Sequence, residues 1–292
     1  MKIYDCTTFH SEHMMMNVRF NILNEHVHKF IVVESLFSHS GEKKKLNFDI
    51  NNYPKFKDKI IYLVIDREPD DLINPLNENI QYKRINSIKR IELSYDFMMS
   101  EIKKLSDNDL IILSDNDEIP NLDSTQFKDS NSDIYIFKQL FFYYKFNLLY
   151  DRMYWFGSKA CTKKKLKSLS WLRNLKNKKY PFWRVDTFFS KTKSSSLKII
   201  NDGGWHFTNV MSAENLYTKM TNFGHHDEFE LSGLSVEDLK IKINQGVVFY
   251  DHFAGQEDKN KWEFNYKLKK ISDNLLPDSL IKDKIKLKEW FN

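Results

Sequence analysis

The sequence predicts an α/β protein: a mostly parallel central sheet flanked by helices, with an aromatic-rich second half and C-terminal helices. Three observations carry this reading. Strand and helix signals alternate through the first third of the 292-residue chain, joined by short connections, the pattern of a parallel sheet covered on both faces. The run Leu110-Ile111-Ile112-Leu113 is four consecutive branched aliphatics, as expected of a strand buried on both sides. Directly after it stand Ser114-Asp115-Asn116-Asp117-Glu118-Ile119-Pro120, and the carboxyl ends of such strands are where open α/β sheets place their ligands.

Taken in order, Lys2–Thr7 reads as a strand and Glu12–Asn24 as a helix with Met15, Val18, Ile22 and Leu23 on one face. Phe30–Glu34 and Lys59–Ile65 are the second and third strands, and 77–105 reads as two helices meeting near Glu92–Tyr95, with Ile80, Ile88, Ile91 and Tyr95 as their core stripe. Leu110–Leu113 is the fourth strand, and Pro120 is expected to end it. Ile134–Phe137 and Leu140–Phe146 are aromatic-rich strands; Ile199–His206 leads into a helix at 213–223. Further helices are expected at Val236–Asn244, Lys261–Ser272 and Leu280–Phe291. With no repeat and no Pro/Gly/Ser-rich linker, residues 1–292 read as one domain, with 1–120 forming a nucleotide-binding half.

Composition narrows the function. With 8 glycines and neither a Walker A sequence nor G-x-G-x-x-G, any phosphate must be held by side chains and metal rather than by a glycine-rich loop. A net charge of +5 is too small to imply nucleic acid. Cys6 and Cys161 are far apart in unlike surroundings and read as reduced, buried thiols. Met1-Lys2 runs straight into the first strand, and no apolar stretch reaches the ~18 residues that span a bilayer. The expectation is a soluble, cytoplasmic protein. Residues 159–179 hold nine Lys/Arg and no Asp/Glu; they read as a solvated face able to meet an anionic partner or a membrane surface.

The chemistry concentrates at Asp115 and Asp117. Alternation along a strand points both carboxylates the same way, and hard oxygen ligands suit Mn2+ or Mg2+ whose shell is completed by substrate phosphates. An acidic turn without a ligand is the plainer alternative.

Several segments in order resemble glycosyltransferase family 17, which includes enzymes that add a bisecting N-acetylglucosamine to N-glycans. Tyr4-Asp5-Cys6 with Phe9-His10-Ser11-Glu12 resembles its opening strand and Phe-x-Asn-Glu turn; Phe30–Ser35 followed by Gly41–Leu46 resembles its second strand and a Gly-[Glu/Lys]-Pro-x-Pro-Leu stretch. Ser114–Pro120 resembles the Asp-x-Asp-Glu-Ile-Pro signature, Gly204-Trp205-His206-Phe207-Thr208 a Gly-Trp-His element, and Lys219 with His225 and Glu228 the region beyond it. Lysines stand in place of both prolines near Lys43–Lys45, and the His225–Glu228 spacing is one residue longer than usual.

The resemblance implies a GT-A fold, with 121–292 as its acceptor-binding half, and an inverting, metal-dependent transfer of N-acetylglucosamine from a UDP-sugar to a glycan hydroxyl, forming a β linkage; the basic stretch 159–179 would suit a lipid-linked or other anionic acceptor. Asp117 would then ligate the metal directly, Asp115 would meet the metal or the ribose, and His206 would be a third ligand. Glu34 at the end of the second strand would contact the uridine, and Arg84 the diphosphate. For the base that takes the acceptor proton, Glu228 stands first, Asp202 second and Glu118 third. Phe141–Tyr144, Trp155, Trp171 and Trp183 offer faces on which sugars stack. Two other classes compete. A sugar-phosphate nucleotidyltransferase would want a glycine-rich N-terminal loop, and Lys2–Glu12 contains no Gly. A non-catalytic glycan- or nucleic-acid-binding module would not need Asp115, Asp117 and His206 to converge.

Overall fold

A computed structural model describes the chain except residues 75–79, 182–189, 191, 223–228, 231 and 256–258. Two sheets organise it. The first contains β1 (Ile3–Thr8), β2 (Lys29–Ser35), β3 (Ile60–Ile65), β4 (Leu110–Leu113), β6 (Ile134–Phe137), β9 (Lys159–Thr162) and β10 (Leu197–Ile200), in the order β10-β6-β9-β4-β1-β2-β3. All neighbours are parallel except β9, which runs antiparallel to both β4 and β6. The second contains β5 (Glu118–Pro120), β7 (Leu140–Tyr143), β8 (Leu148–Leu149), β11 (Gly204–Thr208) and β12 (Lys269–Lys270), in the order β12-β8-β7-β11-β5. The predicted α/β architecture, a large sheet flanked by helices, is the one observed.

Alternate residues of β4 explain why its apolar run is continuous. Leu110 and Ile112 enter a core with Met15, Phe20 and Leu23 of helix α1 (His13–Leu23), whereas Ile111 and Leu113 enter a core with Tyr95, Met98 and Ile102 of helix α2 (Ile80–Ile102). Both faces are covered, so no polar alternation is tolerated. Cys6 and Cys161 are buried, unlinked thiols, as expected.

Several expectations are corrected. The segment up to Ile102 is one helix, not two: no Pro or Gly interrupts 80–102. Its inward face is Ser87, Ser94, Tyr95, Met98 and Ile102, with Ile91 half-buried and Ile88 exposed. The Ser87 hydroxyl donates to Lys83 O and His39 O, and Ser94 to Arg90 O, so neither is left unpaired. Pro120 does not end the chain's pairing. It lies in β5, an edge strand of the second sheet, where its missing N–H costs no ladder bond. The stretch 261–272 contains no α-helix: a 3-10 turn at Lys259–Glu263 is followed by β12. Trp262, Phe264, Tyr266 and Leu268 recur every second residue and pack on the core under the second sheet, a strand period rather than a helical one. Leu280–Phe291 holds only a short helix, Asp278–Lys282, and a 3-10 turn, Lys288–Trp290. Strands β6, β9 and β10 follow residue 120 yet complete the first sheet, and β5 begins before it yet belongs to the second. The two halves interleave.

Candidate active site

The carboxyl ends of β1, β2 and β4 open into a cleft of about 700 Å³ lined by Thr8, Phe9, Ser35 and Leu113–Glu118, with α2 contributing Arg84 and Arg90. This is the crevice that parallel sheets offer to ligands.

The Asp-x-Asp turn is shaped from below by a residue that sequence reasoning passed over. Arg19, fully buried on α1, forms an ion pair with Asp5 of β1, its Nε 2.8 Å from Asp5 Oδ2. Its other arm donates to the carbonyls of Asp115 (3.1 Å) and Glu118 (2.7 Å). One guanidinium thus neutralises a buried carboxylate and satisfies the turn's carbonyls. The signal was available: an Arg among Met15, Val18, Phe20 and Leu23, facing an Asp inside an apolar strand.

Strand pairing then brings the second motif to the first. β11 runs antiparallel to β5 with Gly204 opposite Pro120 and His206 opposite Glu118, and Phe207 N donates to Asp117 O at 2.8 Å. Gly204 has φ +108°, and a Cβ there would stand 2.3 Å from Ile119 O, so only glycine allows this approach. The result places His206 Nε2 3.4 Å from Asp117 Oδ1. The imidazole is fixed by stacking on Phe141 at 4.8 Å and by Trp155, also at 4.8 Å. Its buried Nδ1 has no hydrogen-bond partner. Lys219 Nζ approaches Asp117 from the other side, 3.6 Å from Oδ2. Burial acts to raise the pKa of Asp117, but His206 and Lys219 outweigh it and hold the carboxyl well below the usual range.

The third acid of the turn has a different task. Glu118 is fully buried, and both its oxygens are committed: Oε1 accepts from Trp155 Nε1 (2.6 Å) and Arg173 (3.1 Å), Oε2 from Asp115 N (2.8 Å) and Arg173 (2.7 Å). Gly157 makes room for it, since a Cβ there would stand 1.9 Å from Glu118 Oε1. Burial raises the pKa of Glu118, but Arg173 more than compensates and the net shift is downward. With four donors around it, Glu118 positions the turn. Arg173 also meets Asp115, 2.7 Å from Oδ2. Desolvation at the cleft floor is the largest influence on Asp115 and raises its pKa; Arg173 opposes it, Glu118 and Asp117 add to it, and the group comes to about 6 although 54% of its side chain is exposed.

The remaining predicted residues separate. Arg84 lines the cleft. Glu34 does not reach it: its carboxylate is buried and accepts from Lys44, from Asn47 N (2.8 Å) and Phe48 N (2.9 Å), and from Tyr62 OH (2.8 Å). Asp202 is exposed, bonded to Asn121 Nδ2 at 3.0 Å and outside the cleft lining. Glu228, His225 and Trp183 lie outside the described residues. Of the other aromatics, Phe141 and Trp155 border the cleft, while Phe142, Tyr143 and Tyr144 are core. The basic stretch 159–179 is not simply a solvated face. It begins in the central strand β9, where Lys159 is buried and donates to Arg173 O and Leu175 O, and it delivers Arg173 to the site. Burial, with Arg173 nearby, brings the pKa of Lys159 down to about 8.

Among the described residues no three His, Cys, Asp or Glu side chains converge as a cation cage. Asp117 and His206 do fit a divalent ion that takes its remaining ligands from phosphate: a dissociated carboxylate and an imidazole nitrogen face one another at a spacing that lets them share a cation. Asp115 is turned to Arg173 instead. No described helix is long and apolar enough to cross a membrane.

Comparison with known proteins adds the following. No curated protein matches the chain. A solved structure, the inositol-1-phosphate CTP transferase from T. maritima, aligns with 55% of this chain and 71% of its own at 14% identity; its TM-score of 0.28 is too low to support any inference. The sequence profile of "Glycosyltransferase family 17" matches residues 1–256. The chain belongs to glycosyltransferase family 17.

Proposed function

We propose that this glycosyltransferase moves N-acetylglucosamine from UDP-N-acetylglucosamine to a glycan hydroxyl with inversion, using Mn2+ or Mg2+ held by Asp117 and His206. The observation that carries the reading is Asp117 itself: a carboxylate kept dissociated between His206 and Lys219, opening into the cleft at the end of β4. When bound, the cation would offset the charge that grows on the leaving diphosphate. Lys219 and Arg84 border the same space and would stabilise that charge from the protein side. Arg19 and Glu118 hold the turn rigid, so its carboxylates need little reorganisation when the donor arrives. Arg173 closes the opposite wall against Asp115, leaving that group to meet ribose or ordered water.

The test is a hydrolysis screen of UDP-, GDP- and TDP-sugars with and without Mn2+. Slow metal-dependent hydrolysis of UDP-N-acetylglucosamine is expected. Equal rates with EDTA, or preference for another nucleotide, would refute the donor or the metal assignment.

A further inference from the structure

Beside the main cleft lies a second chamber of about 370 Å³, and the two share Asp117, Lys219, Asn116, Asn209, His10 and Glu12. Their chemistry differs. The main cleft carries Arg84, Arg90 and Arg173, as an anionic nucleotide requires. The second has an apolar floor of Met14, Met15, Phe207 and Val210, a rim of amides, hydroxyls and two imidazoles beside Glu12 and Asp117, and, among the described residues, Lys219 as its sole Lys or Arg. A mostly apolar hollow edged by a few convergent polar groups suits a neutral, hydroxylated ring. One wall is Trp290. It belongs to the segment beyond residue 256, outside the family match. That segment is tied down by Phe146 N donating to Trp290 O (2.8 Å), by Phe291 against Phe146 (5.5 Å), and by two hydrogen bonds between Asn147 and Asn292. At the junction, Asn209 is held at φ +57°, an uncommon conformation of the kind that clusters at working sites.

Among the described carboxylates, only Asp117 and Glu12 border both chambers. Asp117 is engaged by His206 and Lys219. Glu12 uses one oxygen, Oε2, for the amides of His10 (3.3 Å) and Ser11 (3.0 Å). It stands at the amino end of α1 without capping that helix. We infer that the second chamber is the acceptor subsite, in which Trp290 stacks on a neutral hexopyranose and Glu12 takes the proton from its reacting hydroxyl. This rests on the transferase reading above. The acceptor O–H proton passes to Glu12, the oxygen bonds to C1 of the donor sugar, and the C1–O bond to the diphosphate breaks with its electron pair leaving on the diphosphate. Glu12 then releases the proton to water.

The experiment compares wild type, Glu12→Gln, Trp290→Ala and Trp290→Phe. Calorimetry reads UDP with Mn2+. Saturation-transfer NMR reads a panel of methyl hexopyranosides (gluco, galacto, manno and 2-acetamido), with and without UDP, and turnover is then measured on the glycoside that binds. Expected for Trp290→Ala is at least tenfold weaker glycoside binding with UDP affinity within twofold, restored in Trp290→Phe because an aromatic face returns. Glu12→Gln is expected to bind both ligands and to lose turnover by about 10²-fold or more. Glycoside binding unaffected by Trp290→Ala, no glycoside bound by a wild type that does bind UDP, or unchanged turnover in Glu12→Gln would overturn the inference. Failure of wild type to bind UDP would instead remove the donor reading, leaving the chamber to be judged on glycoside binding alone.

Discussion

β2 and β4 lie on either side of β1 in one parallel sheet, and carboxylates stand at or just beyond the end of each, yet only those after β4 line the cleft that both strand ends help to form. At the end of β2, Glu34 is buried and saturated by four donors from its own chain, two of them backbone amides of the 47–48 segment. Beyond the end of β4, one of three acids, Glu118, is saturated in the same way, while Asp115 meets Arg173 alone and Asp117 is flanked by His206 and Lys219 at 3.4 and 3.6 Å. Location at a strand's carboxyl end therefore does not distinguish a binding residue from a clamp. The distinction lies in whether the chain has already spent the group's hydrogen bonds on itself.

The largest effect is expected from Asp117→Ala, which should lower transfer by about a thousandfold, the scale of several kcal/mol of lost charge stabilisation, while leaving the melting temperature near wild type. Arg173→Met should act on stability first: it strands the fully buried Glu118 without its cation, and breaking a buried pair costs about 3–5 kcal/mol, readable by denaturant unfolding. Glu34→Gln should cost about 1–3 kcal/mol, the loss expected when buried donors lose a charged acceptor, with UDP affinity unchanged. A UDP affinity reduced tenfold would return Glu34 to the donor site. Gly157→Ala should be comparable or milder, about 1–3 kcal/mol, since the new methyl group must displace the Glu118 carboxylate.

How much of this was legible in the sequence follows from which physics each residue obeys. β4 was legible because four consecutive aliphatics suit a strand covered on both faces, and the position of the Asp115–Asp117 turn because it follows that run directly. His206 was found by motif, but its meeting with Asp117 depends on the register that sets Gly204 against Pro120, a pairing across more than eighty residues that no local pattern encodes. Arg173 was hidden in a run of lysines, where solvated charge is the ordinary reading, and Arg19 inside an apolar helix face. The burial of Glu34 was not legible because its partners, Lys44, Asn47, Phe48 and Tyr62, come together only on folding. The tail was misread because 261–272 repeats its aromatics at period two.

In the proposed reaction, the carboxylate between His206 and Lys219 holds a nucleotide diphosphate through a divalent ion. Calorimetric titration of UDP into wild type and Asp117→Asn, each with Mn2+ and with EDTA, tests it most directly. UDP binding that needs Mn2+ in wild type and disappears in the variant is predicted; equal affinity in all four titrations would contradict it.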